Sequence, residues 1–65
     1  MKWIKSRTDL NTHYCITDDE EIVGIVSREA KAVYRASVKG IPTYRTFKSK
    51  VRAVNYVEEM LTSHT

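Results

Sequence analysis

Between Ala30 and Val57 the chain has no carboxylate, while Lys31, Arg35, Lys39, Arg45, Lys48, Lys50 and Arg52 all fall inside that interval. Two tyrosine–arginine pairs, Tyr34-Arg35 and Tyr44-Arg45, are interleaved with these cations. Lysine and arginine side chains neutralise phosphates without regard to sequence. Arginine and tyrosine also read base edges and stack on bases. The chemistry suggested by this stretch is therefore binding of an anion, with Arg35, Arg45, Lys48, Lys50, Arg52, Lys39 and Tyr44 as the candidate contacts. Tyrosine and arginine are equally the residues that anchor protein interfaces, so a protein partner is the competing reading.

No catalytic set accompanies these residues. Cys15 and His13 stand two apart, with no acid placed to orient the imidazole. Gly24 and Gly40 are the only glycines, so no glycine-rich phosphate loop exists, and neither a nucleophile elbow nor an HExxH pattern appears. One cysteine and the distant His13 and His64 lack zinc-ligand spacing. His13 and Cys15 on one strand face could share a metal, but a small buried thiol beside an exposed imidazole accounts for them more simply. The reading is non-enzymatic, with no cofactor and no metal.

These side chains must be positioned by a small fold. Sixty-five residues with a net charge of +3 make one domain, 1–65, that buries only a modest core. A lone cysteine forbids an internal disulfide, which leaves a tight core or a homodimer as the source of stability. The lone thiol, the charged start MKWIKSRTDLNTH and the lack of a long apolar run point to a cytoplasmic protein that does not enter membranes.

Residues 1–12 read as loosely ordered, apart from Trp3 and Ile4, since a tryptophan so near the start usually packs on something. His13–Thr17 has strand composition and is followed by the acidic turn Asp18–Glu21. Glu21–Arg28 is the most apolar strand, and Gly24 within it marks a bulge or a close backbone approach. Ser27–Lys31 fits one helical turn or a hairpin connection. Val33–Val38 is a third strand, with Tyr34, Ala36 and Val38 on one face. After a turn at Lys39-Gly40, Thr43–Phe47 reads as an edge strand that begins beside Pro42. Ser49 is an N-cap, and the helix from there to about Leu61 carries Val54, Val57 and Leu61 on one stripe. The expected fold is α+β: an antiparallel meander of three to four strands with one C-terminal amphipathic helix packed on one face.

Two registers suit the last hairpin. One sets Arg35 against Arg45, which favours an anion between them. The other sets Tyr34 against Phe47 and Arg35 against Thr46, which makes an apolar pair instead. In either, the hairpin and the helix start share a dense set of cations, and a helix N-terminus itself attracts phosphate.

The run TFKSKVRAVNY resembles the strand-to-helix junction of the AP2/integrase-type DNA-binding fold, through Phe47, Ser49, Ala53 and Tyr56. The resemblance covers eleven residues. It implies a sheet that enters the major groove, with Arg28, Arg35 and Lys39 among the residues facing DNA. In length, basic MKWIK start and short meander the chain also resembles small accessory proteins encoded by bacteriophages and mobile elements. That likeness implies action in the host cytoplasm. The implied roles are nucleic-acid binding, inhibition of a host enzyme or defence complex, or sequestration of nucleotides.

Overall fold

The computed structural model describes residues 2–63, so His64 lies outside the described residues. It is α+β. Five strands, β1 (Lys2–Lys5), β2 (Thr12–Ile16), β3 (Ile22–Ala30), β4 (Val33–Val38) and β5 (Arg45–Phe47), precede one helix, α1 (Lys50–Ser63). Each strand pairs antiparallel with the next, giving a plain meander in the order β1-β2-β3-β4-β5. The count is five rather than three to four because the N-terminal segment is a strand. Lys2–Lys5, within the stretch expected to be loosely ordered, is β1. Lys2–Lys5 is too short and too charged to display strand periodicity. It is held by its pairing, in which Trp3 lies opposite Cys15 and Lys5 opposite His13. Its connection to β2 is tied by Ser6, whose hydroxyl accepts the amide hydrogens of Thr8 and Asp9.

α1 crosses one face of the sheet, over β3, β4 and β5. Alternation along the strands decides what it covers. Cys15, Val26, Ala36 and Val38 point towards the helix and form the buried core with Ala53 and Val57. Trp3, Tyr34 and Phe47 pack around it. Gly24 is a point of close approach: a Cβ there would lie 2.4 Å from Val57 Cγ1. The glycine thus serves helix packing and also adjoins a β-bulge: Cys15 pairs with Gly24 and Ile16 with Ile22, which leaves Val23 as the extra residue, and a second irregularity lies at Arg28/Ala30.

Ser27–Lys31 is not helical. β3 runs through Ala30, and Lys31-Ala32 turns directly into Val33, with Ala32 at φ 59°. β5 is shorter than Thr43–Phe47, because Thr43 and Tyr44 belong to the connection after Pro42, which has no N–H for the ladder. The observed register sets Tyr34 against Phe47 and Arg35 against Thr46, so the apolar pair wins over two facing arginines. Ser49 caps the helix, its Oγ accepting the Arg52 amide hydrogen at 3.2 Å.

Candidate nucleic-acid interface

The meander places its connections alternately at two ends of the sheet. The β1–β2 connection, the β3–β4 turn and the β5–α1 junction share one end. Arg7, Lys31, Lys48 and Lys50 therefore meet there, beside Arg28, Arg35 and Arg52. The β2–β3 turn and the last turns of α1 occupy the other end, with Asp18, Asp19, Glu20, Glu21, Glu58 and Glu59. Asp9 and Glu29 lie at the basic end and Lys2 and Lys39 at the acidic one, yet the balance of charge still differs in sign between the two ends. The helix N-terminus lies at the positive end, where its free N–H groups add to the field. α1 has no acid in its first turn and no base in its last, the reverse of the stabilising arrangement.

The candidate contacts divide by position. Lys48, Lys50 and Arg52 come together around the helix start. Arg35 lies on the sheet face that the helix leaves uncovered, where its guanidinium stacks 4.4 Å from the Tyr44 ring centroid. It also pairs with Glu29 across the turn. Arg45 lies on the opposite, helix-bearing face, 5.7 Å from the centroid of Tyr56. The two tyrosine–arginine pairs consequently do not form one face. Lys39 sits at the acidic end, paired with Glu21. Arg28, Arg35 and Lys39 likewise do not lie together on one part of the sheet. Arg28 lies opposite Tyr34 on the helix side, Arg35 on the uncovered side, and Lys39 beyond the end of β4.

Two grooves flank the helix start. At the sheet edge, Val33, Phe47, Lys48 and Arg52 line a broad groove of about 460 Å³. On the other side is a smaller cleft of about 120 Å³, closed by the β1–β2 connection. Val26 and Tyr34 form part of its lining, with Leu10 and Asn11, and its basic groups are His13, Arg28 and Lys50. Lys50 Nζ and His13 Nε2 are 3.2 Å apart. Burial lowers the His13 pKa below its ordinary value, and the charges of Lys50 and Lys5 push it further in the same direction. The neutral ring can accept a hydrogen from the Lys50 ammonium, whose other hydrogens remain for a ligand.

Sequence reasoning did not bring His13 and Arg28 to this place. The signal is long-range: His13 lies opposite Val26, and Arg28 opposite Tyr34. Only with both registers known do these two side chains fall beside Lys50. His13 and Cys15 do share a strand face, as their spacing implies, but Cys15 is buried in the core. Among the described residues no group of three His, Cys, Asp or Glu is placed to hold a metal, and no helix is long and apolar enough to cross a membrane. Neither a family model, nor a curated protein, nor a solved structure matches the chain.

Proposed function

We propose that the protein is a non-enzymatic nucleic-acid-binding module that engages phosphates with the positive end of its sheet. It would act as a small phage-type accessory protein in a host cytoplasm. The observation that carries this reading is the segregation of charge along the sheet axis. Arg7, Arg28, Lys31, Lys48, Lys50 and Arg52 gather with the helix N-terminus at one end, and six of the eight acids gather at the other, Asp9 and Glu29 being the exceptions. Such a field orients the molecule towards a polyanion and speeds encounter. The two basic grooves give a phosphate chain a path on either side of the helix start.

Fluorescence anisotropy with a short mixed-sequence single strand tests this. Affinity should fall steeply between about 50 and 200 mM salt. Lys48→Gln and Arg52→Gln should each flatten the log–log slope by about 0.7, the value for one lost phosphate contact on a single strand. Lys39→Gln should leave the slope unchanged. Absence of binding at low salt to single or double strands refutes the reading.

A different surface favours a second reading. On the uncovered sheet face Ile4, Tyr14 and Ile25 form a row across β1, β2 and β3, and Ile4 is exposed. Apolar and tyrosine side chains in a row suit a protein partner. Recovery of a stoichiometric protein complex from host lysate, lost on Ile25→Lys but retained on Lys48→Gln, would favour an inhibitor over a nucleic-acid binder.

A further inference from the structure

We propose that the cleft between α1 and the β1–β2 connection binds a phosphomonoester: the terminal phosphate of a nucleic-acid strand or of a mononucleotide. Its strand-end form rests on the nucleic-acid reading above; its mononucleotide form does not.

The cleft presents Arg28 from β3, His13 from β2 and Lys50 from α1, and no carboxylate lines it. Lys5 faces the same imidazole from β1. The acid in the adjoining connection, Asp9, is already engaged. One of its carboxylate oxygens accepts the Asn11 amide hydrogen and the other the Thr12 hydroxyl, each at 2.9 Å. Two basic nitrogens held 3.2 Å apart beside a guanidinium, without a counter-charge, form a site that an anion completes. Arg28 uses its Nε–H on the Ala30 carbonyl at 3.4 Å, which leaves the terminal nitrogens of the fork for a ligand.

Size and charge select the anion. A cavity of about 150 Å³ holds a benzene ring, so about 120 Å³ takes a phosphate group but not a whole nucleotide. The remainder of the ligand would lie outside, against Leu10, a residue that is 70% exposed. A phosphomonoester carries close to two charges at neutral pH and three terminal oxygens. A phosphodiester carries one charge and two such oxygens. The two full charges of Arg28 and Lys50 match the first better than the second.

The test compares oligonucleotides of one sequence bearing a 5′-phosphate, a 3′-phosphate or hydroxyl ends, with adenosine monophosphate and inorganic phosphate as competitors. A phosphorylated end should bind at least about tenfold tighter than a hydroxyl end. Arg28→Gln and Lys50→Gln, both at exposed side chains, should erase that preference while circular dichroism shows the fold retained. NMR should show the His13 ring signals shifting with inorganic phosphate but not with chloride at equal ionic strength. Equal affinity for all ends, without a phosphate response at His13, overturns the cleft and leaves the nucleic-acid reading standing. A phosphate response at His13 without oligonucleotide binding keeps the cleft and overturns the nucleic-acid reading. A preference that survives both substitutions places the phosphate elsewhere and refutes this site.

Discussion

Gly24→Ala should loosen the helix from the sheet, and the expected size follows from one contact. The new Cβ would stand 2.4 Å from Val57 Cγ1 and 3.4 Å from Cys15 Cβ. The first distance is far inside van der Waals contact, and Val57 is fully buried, so it has no free direction in which to yield. Overpacking of a tight core costs about 1–3 kcal/mol. Replacing a strand glycine returns about 0.5–1 kcal/mol through the unfolded chain. A contact this close puts the overpacking cost in the upper half of its range, so the net loss should be about 1–2.5 kcal/mol, out of the roughly 3–10 kcal/mol expected for a domain of this length. Val57→Ala alone removes buried methyl surface and should cost about 1.6 kcal/mol or more. In the double variant the cavity and the added methyl meet, so the combined loss should fall short of the sum by at least about 1 kcal/mol. Urea unfolding followed by circular dichroism measures all three. A Gly24→Ala midpoint equal to that of the native chain, or strict additivity in the cycle, refutes the reasoning. The same contact seats the helix whose first turn brings Lys50 to His13. Gly24→Ala should therefore also weaken phosphate binding in whatever fraction remains folded.

Three further outcomes follow from local features. Ala32 adopts φ 59° in the two-residue β3–β4 turn, which costs an L-residue about 1–2 kcal/mol, so Ala32→Gly should raise stability by up to about 1 kcal/mol; a lower urea midpoint contradicts this. The folded pKa of His13 is depressed, so the unfolded chain binds more protons just below the ordinary imidazole value of about 6.5. Stability should therefore fall as pH drops through that region and level off below the folded pKa. His13→Gln should abolish that slope, and an unchanged slope contradicts the assignment. Cys15 is buried, and burial, then the charge of Glu58, raises its pKa. Thiol reagents should label it only as fast as the chain opens, and rapid labelling of the native protein at neutral pH contradicts the packing.

Short-range signals in the sequence were sufficient for the elements whose side chains alternate or repeat cleanly. Val33–Val38 is visible because Tyr34, Ala36 and Val38 alternate with Arg35 and Ser37. α1 is visible because Ser49 caps it and Val54, Val57 and Leu61 form a stripe. β1 is not visible, since four residues with lysine at both ends show no period. It exists because β2 offers a partner edge and Trp3 packs at the core. Gly24 reads as a close approach or a bulge, and it marks both: Val57 sits over it and the bulged Val23 adjoins it. The hairpin register turns on one comparison, Tyr34 against Phe47 or Arg35 against Arg45, and the apolar pair prevails. The candidate site was legible in part. Lys48, Lys50 and Arg52 are neighbours in sequence and remain neighbours at the helix start. Lys39 is a neighbour in sequence only, because β4 carries it to the opposite end. His13 and Arg28 come to the cleft through two strand registers and a helix crossing, none of which local composition contains.

The central claim is that the cationic end of the sheet, not its uncovered face, meets nucleic acid. Amide chemical-shift mapping by NMR with a short single strand at moderate salt tests it most directly. The account predicts shifts grouped in three segments: Ser6–His13, Arg28–Val33 and Lys48–Arg52. Asp18–Ile22 and Lys39–Ile41 should remain still. Shifts centred instead on Ile4, Tyr14 and Ile25, or spread evenly over both ends, would contradict it.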